Sequence, residues 1–267
     1  MCGVCGCGEP GPALRGASGR DHHDEHEHHH ANARQHAHGH EHDHEHRHGD
    51  PARRVEVERS LLAENDARAA RLRAQLSARG IEAIGLLGGP GSGKTALLEA
   101  TFARLGAAAR DEAVVEGDCA TDLDARRIAA CGARVAQVAT GSLCHLDAHL
   151  VEHALEALDL HGVARLWVEN VGNLVCPAPV SCGESRRALL VSVPEGDDKP
   201  AKYPAAVAAA DVLVVTKSDL LPYVPFDLER CLANARAVKP GLPALVLSAR
   251  TGEGMDAWLA WARAGRA

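Results

Sequence analysis

"GGPGSGKT", which runs from Gly88 to Thr95, is the stretch that decides the fold. It follows the apolar run "IEAIGLL" and precedes the helical pattern "KTALLEATFARLG". A strand, a glycine-rich turn and a helix in this order form a loop whose backbone N–H groups bind phosphate at the helix N-terminus. In such a loop the lysine approaches the β- and γ-phosphates and the threonine ligates Mg²⁺. We therefore predict a nucleotide-binding domain, with phosphate contacts from Gly88, Gly91, Ser92, Gly93, Lys94 and Thr95.

Short apolar runs alternate with helical patterns in the rest of the chain. Strands are predicted at "EAVVEGD", "RLWVENVG", "RALLVSV", "DVLVVTKSD" and "PALVLSA", and helices at "GSLCHLDAHLVEHALEAL" and "GMDAWLAWARAG". This alternation is typical of an α/β domain with a mostly parallel sheet covered by helices on both faces. We therefore predict that residues 81–267 form one α/β nucleotide-binding domain.

The first 80 residues differ in composition from that domain. Residues 1–52 are rich in Gly, Pro, His and acids and nearly lack large apolar side chains, so we expect a disordered arm. Residues 53–80 carry leucine and alanine at near-helical spacing and end at a glycine, which can stop a helix. We expect an amphipathic helix there, packed on the domain that follows.

The overall composition excludes several classes of protein. A net charge of −7 without a basic stripe argues against a nucleic-acid partner. No run of about 18 apolar residues is present, so no membrane span is predicted. The N-terminus lacks the pattern of a signal peptide, so we expect a cytoplasmic chain. Its nine cysteines would then stay reduced and serve as metal ligands or buried thiols.

Two strand ends predict the base that is bound. "DVLVVTKSDL" places Thr216, Lys217 and Asp219 after a strongly apolar strand, like the [NT]-K-x-D element of GTPases. The Asp carboxylate of that element pairs with guanine N–H groups that adenine lacks. "LSARTG" then places Ser248 and Ala249 like the S-A-[KR] loop that touches guanine. We predict guanine bound by Asp219 with the Lys217 stem along the base, and a weaker base site because Thr216 replaces the commoner Asn.

Two acids at strand ends are candidates for the carboxylate linked to Mg²⁺. Asp118 ends "VVEGD" and is predicted to reach the metal through water, whereas Glu169 in "RLWVENVG" is predicted to form a nucleotide-sensing turn with Gly172. The predicted catalytic set is therefore Lys94, Thr95, Asp118 and Glu169. No candidate for an arginine finger or a water-orienting Gln stands out, so slow intrinsic hydrolysis is expected.

The N-terminal arm carries two patterns typical of metal binding. Cys2, Cys5 and Cys7 form C-x-x-C-x-C, whose thiolates can surround one soft or borderline divalent ion. Residues 22–48 contain thirteen of the 17 histidines, interleaved with Asp and Glu. The stretch is not an engineered tag, because a tag is an unbroken block of histidines at a terminus. The alternative interpretation is a solvated tail without a function in metal binding. We interpret the stretch as a store that holds many ions weakly above about pH 6.5, where imidazole is neutral.

Further candidate ligands lie within the domain. Cys144 and His145 stand at the start of a predicted helix, and Cys176 follows a strand end. Taken singly, each residue type is more often structural than metal-binding. His149 and His153 follow His145 at helical spacing, so a His-x-x-x-His pair is an alternative ligand set.

Seven motifs occur in an order that resembles the hydrogenase nickel-incorporation GTPases of the HypB family. They are "GPGSGKT", "EGD", "GSLCHLDAHLV", "ENVGNLVCP", "PEGDDKPAKYP", "TKSDLL" and "SARTGEG", and the resemblance covers the chain from about residue 53 to its end. The three N-terminal cysteines and the histidine-rich stretch also match members of that family. Urease GTPases share the phosphate-binding loop and a histidine-rich arm but are not expected to carry "NVGNLVCP", so they rank second.

The resemblance implies a GTPase that forms a homodimer when GTP is bound, with a metal site at the dimer interface. The implied Ni²⁺ or Zn²⁺ ligands are Cys144, His145 and Cys176, and the three N-terminal cysteines would form a separate nickel site. The sequence departs from the family pattern at Thr216, Cys119 and Cys182. Cys182, six residues past Cys176, could join that site or compete with it for metal.

These features together predict GTP-gated delivery of Ni²⁺ to a [NiFe]-hydrogenase large-subunit precursor, with other maturation proteins as partners and GTP, Mg²⁺, Ni²⁺ and Zn²⁺ as cofactors. The alternatives are a urease-type nickel-delivery GTPase, a passive nickel or zinc store, and a phosphate-loop kinase that uses ATP. Intact Lys94, Thr95 and Asp219 argue against a passive store, because a decayed nucleotide site should have lost at least one of them.

Overall fold

The computed structural model describes residues 51–118, 122–141 and 143–265. Cys2, Cys5, Cys7, the histidine-rich stretch and Cys119 lie outside the described residues. Asp118 is described only as the last backbone position of its strand.

Within that part of the chain, seven strands form one sheet in the order β3-β2-β4-β1-β5-β6-β7. Every neighbouring pair is parallel. The prediction of an α/β domain with a mostly parallel sheet is therefore confirmed. The strands are β1 (Glu82–Gly88), β2 (Glu112–Asp118), β3 (Arg134–Ala139), β4 (Arg165–Glu169), β5 (Arg186–Ser192), β6 (Val212–Thr216) and β7 (Ala244–Val246).

Helices connect these strands and cover the sheet. Within the described ranges no helix is long and apolar enough to cross a membrane. The helices are α1 (Pro51–Ala78), α2 (Lys94–Leu105), α3 (Leu123–Ala130), α4 (Ala148–Glu156), α5 (Lys199–Lys202), α6 (Pro204–Ala209), α7 (Leu228–Val238) and α8 (Met255–Arg263).

The core forms separate apolar clusters on the sheet. One includes Trp167 with Phe102 of α2 and Trp258 of α8. Another joins Leu72 and Leu76 of α1 to residues of β2, β4 and α4. The third lies under α6 and α7, around β5 and β6. The long N-terminal helix therefore contributes directly to the core of the domain.

The helix predicted over "GSLCHLDAHLVEHALEAL" begins seven residues later than its sequence pattern indicates. α4 starts at Ala148, and the Asp147 carboxylate caps it by accepting a hydrogen bond from the Leu150 N–H at 2.8 Å. An Asp at the N-cap satisfies an N–H that the helix itself leaves unpaired. Cys144 and His145 therefore lie in a loop before the helix, and the prediction that they begin it is wrong.

β3 and α3 were absent from the sequence-based prediction. β3 is an edge strand of the sheet, with half-buried side chains along most of its length. Its mixed exposure explains why "RVAQVA" lacks the continuous apolar run that marks the central strands. α3 is short and begins close to the end of β2, which brings its first turns to the ligand edge of the sheet.

Candidate functional site

The phosphate-binding loop lies between β1 and α2, at the carboxyl edge of the sheet. Gly91 and Gly93 have φ of 75° and 91°, a backbone conformation that glycine adopts without strain. The Lys94 ammonium is buried and donates hydrogen bonds to the carbonyls of Gly88 and Gly89 at 3.3 and 3.4 Å. Burial lowers the pKa of Lys94, and the nearby Glu169 opposes that shift. The loop therefore holds the Lys94 ammonium group in place before any phosphate binds.

Thr95 and Glu169 meet directly beside this loop. The Thr95 hydroxyl donates to Glu169 Oε1 at 2.7 Å, and both residues are buried. Burial raises the pKa of Glu169 to about 7. The other carboxylate oxygen, Oε2, has no hydrogen-bond partner among the described residues. A hydroxyl and a carboxylate oxygen without a partner form the hard donor set that Mg²⁺ prefers, so the residues present fit that ion.

The two predicted acids are thus placed differently. Glu169 lies against Thr95 because β4 is the direct neighbour of β1, with Glu169 paired to Leu86. The backbone of Asp118 ends β2, one strand further from the loop. Glu169 is therefore the described acid that contacts the predicted Mg²⁺-binding threonine.

Sequence reasoning missed two residues that line the same cavity, whose volume is about 440 Å³. Asp124 and Arg127 lie three positions apart on α3 and share an ion pair of 2.7 Å. Glu99 of α2 accepts two further hydrogen bonds from the Arg127 guanidinium, at 3.0 and 2.6 Å. The sequence offered no arginine finger, yet an arginine lines the cavity. The only available signal was the i, i+3 spacing in "LDARR" soon after a strand end.

The predicted base-recognition residues surround a neighbouring cavity of about 270 Å³, which Ala249 also lines. The Ser248 hydroxyl donates to Asp219 Oδ1 at 2.5 Å. Arg250 donates to Asp219 Oδ2 through Nε at 2.9 Å and approaches it through Nη2 at 2.8 Å. The Ser248 hydrogen bond is the main cause of a lowered Asp219 pKa, which Arg250 lowers further. The carboxylate that the sequence assigns to guanine is therefore ionised and already paired.

Two residues tie the base-recognition strand end to the phosphate-binding loop. The Thr216 hydroxyl donates to the Ser92 carbonyl at 2.6 Å. Lys217, with a left-handed φ of 58°, donates from Nζ to the Gly91 carbonyl at 2.7 Å. Thr216, which the sequence interpreted only as the loss of an Asn side chain, thus connects the two halves of the nucleotide site.

The turn that follows β4, residues 170–173, contacts both the phosphate-binding loop and the loop before α4 that carries Cys144 and His145. We call the latter, residues 144–147, the Cys144 segment. A Cβ on Gly172 would lie 3.1 Å from the Pro90 backbone, so the turn approaches the loop closely. Asn173 forms an isolated bridge with Gly88. On the other side, Asn173 Nδ2 donates to the Cys144 carbonyl at 3.3 Å. We call these residues the 170–173 turn.

Two of the candidate metal ligands lie together. Cys144 is exposed, and its Sγ is 3.4 Å from His145 Nδ1. Cys176 is partly buried and follows the 170–173 turn. Among the described residues, no group of three His, Cys, Asp or Glu side chains is arranged to hold a metal ion. One chain therefore presents a Cys–His pair rather than a complete ligand set.

The remaining candidate ligands are the histidines of α4 and Cys182. His149 approaches Arg68 Nη1 at 3.3 Å, and His153 lies 3.3 Å from Glu156, both on α4, whereas His145 is outside the helix. His145 therefore does not share a helix with His149, whereas His149 and His153 keep the i, i+4 spacing of the alternative His-x-x-x-His pair on α4. Cys182 is buried, and burial raises its thiol pKa well above the ordinary value. Its thiol lies in the core and donates a hydrogen bond to the Leu146 carbonyl at 3.3 Å.

Comparison with known proteins agrees with this arrangement. The family model for the CobW/HypB/UreG nucleotide-binding domain matches residues 82–246. The hydrogenase maturation factor HypB of Azotobacter vinelandii is 49% identical over 210 residues, which cover 79% of this chain and 69% of that protein. The crystal structure of HypB from Archaeoglobus fulgidus superposes with a TM-score of 0.70 at 35% identity, covering 76% of this chain and 98% of that one.

A second solved structure is similarly close. HypB from Helicobacter pylori, crystallised in complex with nickel, gives a TM-score of 0.71 at 33% identity over 74% of this chain and 93% of that one. The similarity to both structures extends over the nucleotide-binding domain described above. On these grounds the chain belongs to the HypB family of hydrogenase maturation factors.

Proposed function

We propose that this protein is a GTP-hydrolysing metallochaperone that delivers Ni²⁺ to a [NiFe]-hydrogenase large-subunit precursor, together with other maturation proteins. The observation that carries the proposal is the 170–173 turn, which contacts the phosphate-binding loop at Gly172 and the Cys144 segment at Asn173. A turn shared by two sites gives nucleotide hydrolysis a physical route to a metal-binding pair.

The base cavity supports GTP as the nucleotide. Asp219 presents an ionised carboxylate that can accept hydrogen bonds from guanine N1–H and N2–H. Adenine lacks those donors, so it would gain no hydrogen bond from Asp219, which would keep only its Ser248 and Arg250 partners. Guanine must also compete with Arg250, which occupies one carboxylate oxygen.

Phosphate binding and hydrolysis follow from the loop and its neighbours. Lys94 and the backbone N–H groups of the loop would position the phosphates, and Thr95 with Glu169 would hold the cation. Mg²⁺ held by these two side chains would supply neutralisation of the phosphate charge. Asp124 and Arg127 line the same cavity and are placed to orient water or phosphate oxygens from α3. Because Arg127 is held by two carboxylates, slow intrinsic turnover is expected.

Nickel is the proposed cargo of the Cys144–His145 pair. A thiolate and an imidazole suit both Ni²⁺ and Zn²⁺, and a second copy of the chain could bring a matching pair to a shared site. Cys176, close in sequence to the 170–173 turn, would complete the set in each copy. The nickel complex of the Helicobacter pylori relative supports this choice of metal.

The N-terminal arm is proposed to load that site. Cys2, Cys5 and Cys7 would bind one ion, and the histidines of residues 22–48 would form a weaker store of high capacity. Deleting residues 22–48 should lower the number of Ni²⁺ ions bound per chain and leave the GTP hydrolysis rate unchanged.

The deciding experiment is equilibrium Ni²⁺ binding with a non-hydrolysable GTP analogue and with GDP, in a Cys2/Cys5/Cys7→Ala background. The proposal expects the tightest Ni²⁺ class to differ in affinity between the two nucleotide states and to disappear when Cys144 is also replaced by Ala. Equal affinities in both states would contradict the coupling, and binding that survives Cys144→Ala would place the site elsewhere.

A further inference from the structure

The backbone of Leu146, directly after the Cys144–His145 pair, is held on both sides. Its N–H donates to Asn170 Oδ1 at 2.9 Å. Its carbonyl accepts a hydrogen bond from the Cys182 thiol at 3.3 Å. Asn170 Nδ2 in turn approaches Cys182 Sγ at 3.6 Å, so the two holding side chains also contact each other. We call Asn170, Leu146 and Cys182 the Leu146 clamp.

The clamp is buried and tightly packed. Asn170 is 3% exposed, Cys182 2% and Leu146 0%, so water does not compete for these hydrogen bonds. The Leu146 side chain fills the space left by Gly117 near the end of β2, where an added Cβ would lie 2.7 Å from Leu146 Cγ. Leu146 therefore contacts the strand that borders the phosphate cavity as well as the turn after β4.

One end of the clamp is covalently adjacent to the nucleotide site. Asn170 follows Glu169, whose carboxylate contacts Thr95 at 2.7 Å. A phosphate or metal ion that binds in the phosphate cavity can displace Glu169 at the end of β4. Asn170 would move with it, because Glu169 and Asn170 share a peptide bond. The packed interior transmits such a shift rather than absorbing it.

A third element braces the same two segments from outside. Asn65 of α1 accepts a hydrogen bond from the Ala148 N–H at 3.0 Å and donates to the Ser181 carbonyl at 2.9 Å. These two partners lie next to the clamp in sequence, one on each segment. The Cys144 and Cys182 segments are therefore joined by two sets of hydrogen bonds, so a shift of one segment is passed to the other.

We propose that Asn170 and Cys182 are positioning residues, which hold the Leu146 peptide so that the Cys144–His145 pair moves with the nucleotide-sensing end of β4. The inference rests on the proposed function, because it takes the Cys144–His145 pair as the metal site. It assigns to Cys182 a role as hydrogen-bond donor to a backbone carbonyl rather than as a metal ligand.

The test compares Cys182→Ala, which removes the donor, with Cys182→Ser, which keeps one of similar size. Cys231→Ala is the matched control, since Cys231 is also a buried thiol but belongs to the cluster around β5, β6 and α7. The readout is the alkylation rate of Cys144 in the full-length chain, followed peptide by peptide by mass spectrometry, with Mg²⁺ plus GDP and with Mg²⁺ plus a non-hydrolysable GTP analogue. Ni²⁺ protection of the same thiol is recorded in parallel.

In the unsubstituted protein and in Cys231→Ala, we expect the Cys144 rate to differ between the two nucleotide states. Cys182→Ala should reduce that difference by about fivefold, the factor that corresponds to one ordinary hydrogen bond, while Cys182→Ser restores most of it. GTP affinity should remain unchanged in all three variants, which shows that the domain is folded.

The outcomes separate the inference from the function on which it rests. An unchanged nucleotide dependence in Cys182→Ala, with GTP affinity intact, overturns the clamp even if nickel delivery stands. A nucleotide-dependent Cys144 rate that Cys182→Ala reduces, without any protection by Ni²⁺, supports the clamp and contradicts the metal site. A Cys144 rate that ignores the nucleotide in the unsubstituted protein overturns both. Cys182→Ser that behaves like Cys182→Ala would show that side-chain packing, not hydrogen-bond donation, is responsible, and would also overturn the inference.

Discussion

The nucleotide edge of the sheet and the Cys144 segment are built in opposite ways, although the 170–173 turn contacts both. At the nucleotide edge Lys94, Thr95 and Glu169 are buried, and each has a hydrogen-bond partner within the chain. Cys144 is exposed, and it lies beside a single further candidate ligand, His145. The first region is a preformed site, whereas the second presents two candidate metal ligands at the surface.

This difference predicts different binding behaviour for the nucleotide and for the metal ion. A preformed site loses little conformational entropy when its ligand binds, so it can hold a nucleotide tightly and use small changes at the phosphate to shift its neighbours. Two exposed ligands leave most coordination positions of a metal ion open, so the pair alone would bind it weakly, which fits the proposed delivery function. Three substitutions test this contrast, in decreasing order of effect.

The largest effect is expected from Lys94→Ala. The Lys94 ammonium is the buried cation of the phosphate-binding loop, and charge-assisted hydrogen bonds contribute about 1.5–3 kcal/mol each. Losing two such bonds to phosphate should weaken GTP binding by at least about 100-fold and abolish hydrolysis. Fluorescent-nucleotide titration measures the first effect, and phosphate release measures the second.

Lys239→Ala is the matched control, because Lys239 donates to the Ala208 carbonyl and lines neither nucleotide cavity. It should leave GTP affinity unchanged. In Lys94→Ala, Cys144 alkylation should no longer respond to nucleotide at concentrations that saturate the unsubstituted protein. GTP affinity within about tenfold of the original would place the phosphates away from this loop.

The second substitution, Glu169→Gln, uses the pH dependence of stability to test the buried acid that we propose as a Mg²⁺ ligand. The pKa of Glu169 in the folded chain is about 7, above the ordinary value of 4.5, because the carboxyl is buried. The folded state therefore binds this proton more tightly than the unfolded state, and stability falls as pH rises from about 4.5 to 7. A glutamine has no proton to lose, so without Mg²⁺ and nucleotide the variant should be more stable than the original above pH 7.

The gain should reach at most about 3 kcal/mol, which is the shift in pKa converted to free energy. Urea unfolding at pH 5 and pH 8 measures it, and the two proteins should differ little at pH 5. With Mg²⁺ and GTP present, the substitution should be harmful although it stabilises the fold. The glutamine amide cannot balance the charge of the ion, so hydrolysis should be lost. Equal stability at pH 8 would contradict the raised pKa.

The sequence predicted what depends on residues that are neighbours along the chain. Gly88 to Thr95 are consecutive, so their spacing alone predicts a loop followed by a helix, and the alternation of apolar runs predicted the α/β sheet that is observed. The Thr95–Glu169 contact is different, because the two residues are 74 positions apart. The contact requires β4 to lie next to β1 in the sheet. Two other strands, β2 and β3, separate β1 from β4 along the chain, so the order of the elements in the sequence does not predict this pairing.

The Cys144 segment shows even more clearly that contacts between distant residues could not be predicted from the sequence. Helical periodicity in "GSLCHLDAHLVEHALEAL" continues through Cys144 and His145, yet α4 begins only at Ala148. The reason is tertiary: Asn170 and Cys182 take up the backbone groups of Leu146 that a longer helix would use. Arg127 escaped prediction for a related reason, since only the placement of α3 at the end of β2 turns its side chain toward the phosphate cavity.

The smallest effect is expected from Arg250→Ala, which asks whether the base site is preformed or partly blocked. Arg250 donates to Asp219 Oδ2 at 2.9 Å, the oxygen that guanine would also use, and its side chain is 75% exposed. Exposed ion pairs contribute about 0.2–1 kcal/mol, so removing this competitor should raise GTP affinity by a factor of about 1.4 to 5. The gain should shrink in high salt, which already weakens the ion pair.

Arg104→Ala is the control for that experiment, because Arg104 donates to the Gly252 carbonyl of the same loop without contacting Asp219. It should leave GTP affinity unchanged. The Ser248 hydrogen bond is the main cause of the lowered Asp219 pKa, so the carboxylate stays ionised at neutral pH when Arg250 is gone. A loss of GTP affinity in Arg250→Ala would mean that Arg250 contacts the nucleotide itself. The base site would then be completed on binding, as we propose for the metal site, and only the phosphate-binding loop would be preformed.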